Sequence, residues 1–378
     1  MGKYVIFGAA KQGTEVYHLV EKLEGVGNVA FFVDNDENRW GTKEGLEVIG
    51  AGELAKRDPD RKFAVIIASS YYGEIQRQLL DLGFAEENIL SGDNLKRNHQ
   101  GKEYRDFLEK YKVLGENLPI ASHPLEIKGK FEEMGFRVME YAVDMEDYEK
   151  WLEEVDYNGN YPFYAKTFGG HLCAKQFQHY VSKKLLGISE NKVALDVASS
   201  ISVFPEIVRE KYGAVVYRQD IEYPWGVDGY TVGSFASDIP LPDCSVDCMT
   251  LHCSLEHFED REDFKFFQEA GRILGNNGKV CVIPLYMADG YYIRTSPEVW
   301  SNKYKVYSEC PKFDERAGII IDNGSRQRQS KYYSVEILKE ELLNGKTQMA
   351  PTVVYITNYH EIKGSAPFAL LLEKAVEE

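Results

Sequence analysis

Three short apolar runs, Val193 to Val197, Ala214 to Tyr217 and Val280 to Pro284, constrain the fold of this chain more than any other feature. Each is bounded by Gly, Asp or Asn, and the segments between them have helical spacing. Runs of this length without alternation suit strands buried on both faces, so Lys192 to Pro284 predicts an open α/β sheet with parallel strands. The first run carries Asp196 and passes into Ala198, Ser199 and Ser200. Small residues after a strand mark the edge of such a sheet, where nucleotides bind.

At 378 residues the chain exceeds one ordinary core, which predicts two domains and a linker. Hydrophobic residues at 44% and charged residues at 28% describe a folded chain and argue against disorder. The formal net charge of -16 argues against nucleic acid as partner, because phosphate binding needs a basic footprint. The six cysteines are scattered and several fall inside apolar runs, which fits free thiols in a reducing, cytoplasmic setting. No paired CxxC exists, so no metal site is expected. MGKYVIFGAA lacks the features of a signal peptide, and no stretch reaches membrane-spanning length.

The first ninety-five residues repeat the strand and helix alternation. Lys3 to Phe7, Val29 to Val33 and Phe63 to Ala68 read as buried strands, with helices from Thr14 to Glu24 and from about Tyr72 to Leu82. The ligand edge of this small sheet should lie at Gly8, Asp34 and Ser69. Gly8 and Gly13 hold the outer positions of a GxGxxG pattern, Ala10 replaces the middle glycine, and Lys11 sits in the loop. Asp34 ends the second strand, where a carboxylate takes ribose hydroxyls. IFGAAKQGTEVY, FFVDNDENRWG, GLEVIGAGEL and FAVIIASSYYGEIQRQL together resemble the small Rossmann-like domain at the front of bacterial sugar acyltransferases. That resemblance implies a nucleotide-sugar pocket built on Gly8, Lys11, Gly13, Asp34 and Ser69, with a unit kept only for docking as the alternative.

Residues 96–165 lose strand alternation and read as two or three amphipathic helices, a helical linker. From 166 onward, LDVASS, YRQD, SDIPLPDCSVD, SLEHFED and GRILGNNGKV resemble the class I S-adenosylmethionine-dependent methyltransferases of bacterial glycan clusters. The chain is therefore expected to be α/β, with two Rossmann-like parallel-sheet domains (1–95 and 166–378) joined by the linker. The resemblance implies S-adenosylmethionine as cofactor. Asp196 would order the loop and approach the methionine amino group, and Ala198, Ser199 and Ser200 would bring backbone N–H groups to the ligand. Asp220 would accept from the ribose hydroxyls, and Ser237 and Asp238 would lie beside the adenine. The family carries glycines where this chain has Ala198 and Ser200, and each Cβ restricts positive φ at a cost of about 1 kcal/mol.

His252 and His257 leave the fourth strand at the cleft, and imidazole, with an ordinary pKa of about 6.5, suits a general base for a sugar hydroxyl. His257 is the first candidate and His252 the second, with a structural helix start as the alternative. Residues 285–334 form a polar, aromatic insertion read as a lid, in which Arg294, Arg326, Arg328 and Tyr332 would hold an anionic or sugar substrate. Val353 to Thr357 and Phe368 to Leu372 should close the sheet as an antiparallel pair. The expected activity is methylation of a hydroxyl on a sugar or nucleotide-linked sugar in surface-polysaccharide synthesis, with the homodimer left open. The alternatives are a degenerate domain that binds nucleotide sugars or scaffolds a glycan complex, and an NAD(P)-dependent sugar oxidoreductase.

Overall fold

The computed structural model describes residues 3–116, 118–120, 123–300, 310–322 and 327–375, without the side chains of 97–100 and 298. The chain divides into two compact units, Met1–Glu109 and Lys110–Glu378.

The first unit holds strands β1 (Tyr4–Phe7), β2 (Val29–Val33), β3 (Gly41–Lys43), β4 (Leu46–Ile49), β5 (Ala64–Ile67) and β6 (Ile89–Ser91), in the order β3-β4-β2-β1-β5-β6. All pairings are parallel except β3 with β4. Successive side chains of a strand point to opposite faces, and β1 feeds two cores in this way. Val5 and Phe7 pack with Leu54, Ile75 and Leu79 on one side, and Ile6 packs with Val16 and Val20 on the other. The sequence missed β3, β4 and β6, which are three or four residues long.

The second unit continues with β7 (Val113–Glu116), β8 (Arg137–Tyr141), β9 (Val193–Val197), β10 (Val215–Asp228), β11 (Thr231–Gly233), β12 (Val246–His252), β13 (Leu274–Ile283), β14 (Tyr292–Thr295), β15 (Gly318–Ile321), β16 (Ser330–Tyr332), β17 (Met349–Ile356) and β18 (Phe368–Lys374). Its main sheet has the order β11-β10-β9-β12-β13-β18-β17-β8. β9, β10, β12 and β13 run parallel, and β18 is antiparallel to both β13 and β17. The three defining apolar runs are thus the centre of a parallel-dominated α/β sheet, closed by the expected antiparallel pair. Helices Met145–Val155, Leu172–Leu186 and Phe204–Tyr212 cover one face, where Trp151, Phe177, Tyr180 and Phe204 share a core with Cys248 and Cys281.

Two expectations are corrected here. The stretch 96–165 is not only a helical linker, because β7 and β8 each add a strand to a sheet of the second unit. The insertion 285–334 is not a loose lid, because β14, β15 and β16 join β7 in a four-stranded sheet of order β16-β14-β15-β7, filled by Ile293, Ile319, Ile320 and Ile321. Cys173, Cys244, Cys248, Cys253 and Cys281 form no disulfide. Among the described residues no helix is long and apolar enough to cross a membrane, and no group of three or more His, Cys, Asp or Glu could hold a metal ion.

Glycine geometry in the first unit gives a direct test. A Cβ on Gly13 would lie 1.9 Å from the carbonyl oxygen of Gly8, whereas one on Gly52 meets nothing within 4 Å. Gly13→Ala is expected to destabilise the protein by about 2 kcal/mol or more through overpacking. Gly52→Ala, inside the helix Ala51–Arg57, should be neutral or stabilise by up to about 1 kcal/mol. Urea unfolding of the full chain compares them.

Candidate active site

The carboxyl ends of β9, β10 and β12 meet in one crevice, because their register pairs Asp196 with both Arg218 and Thr250. A cavity of about 220 Å³ opens there, lined by Ala198, Ser200, Gln219 and Asp220, by Ile221 and Glu222, by Phe235 and Ala236, and by Cys253, Ser254, His257, Phe258 and Glu262. This is the carboxyl edge at which open α/β sheets take their ligands.

The turn after β9 does adopt the left-handed conformation that its missing glycines would have eased. Ala198 has φ 50° and Ser200 has φ 44°. Strand β10 holds it there. The Ala198 N–H donates to Gln219 Oε1 (3.1 Å), the Ser199 N–H to the Gln219 carbonyl (2.9 Å), and the Ser200 N–H to Asp220 Oδ2 (2.9 Å). The Tyr223 hydroxyl donates to the Ser200 carbonyl at 2.5 Å. These N–H groups therefore lock the turn rather than stand open to a ligand, which corrects the expected role of Ala198, Ser199 and Ser200. Gln219, whose Nε2 also donates to the Ser234 carbonyl, was missed from the sequence because a buried amide has no signature beyond its place before an acid.

Asp220 lines the cavity with both carboxylate oxygens fixed, Oδ1 accepting from the Glu222 N–H at 2.9 Å. Each oxygen retains a lone pair for a ligand hydroxyl. Burial pushes this carboxyl above its ordinary range, against the backbone donors of Glu222 and Ser200. Asp196 behaves oppositely. It is 1% exposed, does not line the cavity, and accepts from Thr250 Oγ1 (2.7 Å), with His252 Nδ1 at 3.2 Å. Burial raises it, but hydrogen bonding to His252 and Thr250 outweighs this and holds the carboxyl below its usual value.

His252 is correspondingly no base. Its Nε2 lies 2.8 Å from Ser182 Oγ, its ring packs against His179 and Phe204, and it does not line the cavity. His257 does line it and is 40% exposed at the side chain. Its Nδ1 is 2.7 Å from the Gln329 carbonyl, which can only accept. Nδ1 therefore carries a proton, and in the neutral ring the lone pair is on Nε2.

The remaining expected residues scatter. Ser237 donates to Glu262 and Asp238 is exposed, so Phe235 and Ala236 form the wall assigned to them. Arg328 is consumed by Glu259 (2.8 Å) and by the Trp300 carbonyl. Arg294 pairs with Asp322 at 3.3 Å and stacks over Tyr332, and neither residue lines the cavity. Arg326 lies outside the described residues.

In the first unit, Gly8, Asp34 and Ser69 line a cleft of about 520 Å³ together with Ala10, Arg39 and Tyr71. Asp34 accepts from the Ala9 and Asp36 N–H groups at 2.7 and 2.9 Å. Lys11 is exposed and does not line this cleft, and Gly13 serves the close approach of helix to strand.

A nucleoside sulfonium cofactor fits the second unit's crevice. Asp220 offers acceptors for ribose, Phe235 a face for a base, and Ser254 Oγ is a cavity-wall hydroxyl with no partner among the described residues. Residues 195–282 match the family described as "Methyltransferase domain", and residues 1–90 match the family described as "C2185-like, N-terminal". No curated protein matches the chain. Among solved structures, the 1,6-didemethyltoxoflavin-N1-methyltransferase of Burkholderia thailandensis, with bound 1,6-didemethyltoxoflavin and S-adenosylhomocysteine, shares 13% identity over 64% of this chain and 94% of that one (TM-score 0.38). A methyltransferase of Aquifex aeolicus shares 15% identity over 54% and 92% (TM-score 0.32). One ascribed to an antibiotic biosynthesis pathway of Anabaena variabilis shares 21% over 29% and 45% (TM-score 0.25), so less than half of that chain is spanned. Within the second unit, it is residues 195–282 that match a methyltransferase domain. The matched stretch 195–282 carries Asp220, and it carries the turn after β9, both of which reach the cavity.

Left-handed Ala and Ser each cost about 1–2 kcal/mol. Ala198→Gly and Ser200→Gly should therefore be neutral or stabilise slightly, once the greater freedom of unfolded glycine is deducted. Gln219→Leu strips partners from the Ala198 N–H and the Ser234 carbonyl, and should destabilise by about 2–5 kcal/mol. Urea unfolding, with S-adenosylhomocysteine calorimetry on the same samples, separates the two outcomes.

Proposed function

We propose that the methyl acceptor is a hydroxyl of a small molecule, a sugar or nucleotide-linked sugar of surface-polysaccharide synthesis, in the cytoplasm, and that His257 is its general base. The bond from His257 Nδ1–H to the Gln329 carbonyl carries this reading, because it turns a basic nitrogen toward the cavity. S-adenosylmethionine, when bound, supplies a methyl group on a positively charged sulfur. Nε2 takes the hydroxyl proton as the acceptor oxygen attacks, and Glu256 Oε1, 3.7 Å away, favours the imidazolium that results. Phe235 and Phe258 line the cavity with apolar surface that excludes water.

The sugar acceptor is supported by the resemblance of both units to glycan enzymes. The cleft at Gly8, Asp34 and Ser69 would by itself be a nucleotide-sugar pocket of the first unit. Asp34, with both oxygens positioned by backbone donors, is the residue for its ribose.

Calorimetry with S-adenosylhomocysteine and transfer assays with UDP-sugars test the reading. His257→Ala is expected to lower kcat by about 10²–10⁴-fold while leaving S-adenosylhomocysteine affinity unchanged. Full transfer by that variant would remove His257 from the mechanism.

A further inference from the structure

At the amino ends of the parallel strands, opposite the cavity, a buried lysine meets an exposed cysteine. Lys374, the last residue of β18, is 5% exposed. Its Nζ donates to the Leu274 carbonyl at 2.8 Å and to Cys244 Sγ at 3.6 Å, and it forms no ion pair among the described residues. A lysine this deeply buried normally has a carboxylate beside it. Here the side chain beside it is a thiol, which stands two residues before β12 and 130 positions away in the sequence.

Cys244 is exposed and forms no disulfide. Its backbone is left-handed, with φ 54°, and its N–H is given to the Arg272 carbonyl at 3.1 Å. Glycine or asparagine would hold such a turn at less cost, so the turn's shape does not account for a cysteine there, and its side chain does. The Arg272 guanidinium pins the same loop by donating to the Ile239 and Leu241 carbonyls at 2.9 and 3.0 Å. The sulfur is thus held beside the amine by contacts that do not involve either group.

We propose that Cys244 and Lys374 form a redox modification site, at which hydrogen peroxide joins the two side chains through a sulfur–nitrogen bond. The sulfur attacks peroxide, an S–O bond forms as the O–O bond breaks, and the displaced hydroxide leaves as water with the thiol proton. The peroxide is reduced, and the oxidised sulfur is a sulfenic acid. Lys374, its ammonium proton released to solvent, then attacks the sulfur through Nζ. The S–N bond forms, the S–O bond breaks, and the hydroxyl leaves as a second water with an amine proton. Sulfenic acids condense with nitrogen in this way. An added thiol reverses the link by attacking the same sulfur. The cross-link ties the start of β12, whose far end reaches the cavity, to the last strand of the sheet, and it is independent of the methyl acceptor.

The test treats the full chain with hydrogen peroxide, with and without dimedone to trap sulfenic acid, and reads a peptide map. Wild type should yield a linked pair of peptides holding Cys244 and Lys374, lighter than their sum by two hydrogens, which dithiothreitol separates. Cys173 is the internal control, because it is also exposed and its sulfur has no hydrogen bond among the described residues. It should take dimedone in every sample. Lys374→Met keeps a chain of similar volume and removes the amine, so Cys244 should then take dimedone as Cys173 does. If that variant does not fold, the wild-type map decides alone. Sulfinic acid or a dimedone adduct on wild-type Cys244 with Lys374 unmodified overturns the proposal. So does a Cys244 that stays reduced at a peroxide dose that oxidises Cys173, or an equal dimedone yield on Cys244 in wild type and variant.

Discussion

The carboxamide of Gln219 ties together backbone segments on which the whole crevice depends. Its Oε1 receives the Ala198 N–H, its Nε2 reaches the Ser234 carbonyl, and its own carbonyl takes the Ser199 N–H. Two left-handed, non-glycine residues cost about 1–2 kcal/mol each. Hydrogen bonds contribute about 1 kcal/mol each and more where the alternative is an unpaired buried group. The two sums are of the same size. The turn can therefore keep its shape without glycine as long as β10 supplies these acceptors. Ala198 and Ser200 both line the cavity.

The same strand edge sets the charges. Asp196 and Asp220 stand on neighbouring parallel strands, and each is buried, yet their carboxyl groups move in opposite directions. The difference lies in partners. Asp196 has side-chain donors in Thr250 and His252 and is sealed from the cavity. Asp220 has backbone N–H donors and faces the cavity, so its desolvation remains incompletely offset. An acid of the second kind gains from a ligand that brings hydroxyl donors, which is what a ribose does. Asp196 instead acts at one remove, holding His252 and Thr250 beneath the turn.

Sequence periodicity located the long buried strands because burial on both faces writes itself as an unbroken apolar run. It put Asp220 and His257 beside the crevice because each follows such a run, whereas Asp196, expected to reach a ligand, is sealed from the cavity. It failed where placement depends on partners distant in the chain. Nothing in the local sequence shows that Val113–Glu116 would pair with Gly318–Ile321, or Arg137–Tyr141 with Thr352–Ile356. Arg328 looked like an anion clamp because a guanidinium beside aromatic residues has that chemistry, but Glu259 lies sixty-nine residues away and claims it. Ser237 and Asp238 missed the cavity by one or two positions. In an irregular segment such a small slip decides which residue faces a ligand, and Phe235 and Ala236 took the place.

His257 shows how the insertion and the sheet share one task. The strand end of β12 and the short turn Leu255–His257 bring the imidazole to the cavity, but they leave its tautomer undetermined. The carbonyl that determines it belongs to Gln329, which directly precedes β16 in the insertion's own small sheet. Gln329 also donates from Nε2 to the His257 and Phe258 carbonyls, so the contact is made from both sides. The buried Lys331, paired with Asp263 at 2.8 Å, fixes β16 against the helix Glu262–Ile273. Breaking such an ion pair from one side is costly, since it leaves a buried charge uncompensated. The proton on Nδ1 is thus held by a chain of contacts that runs through the insertion to the core helix. The insertion thus orients an imidazole that lines the cavity.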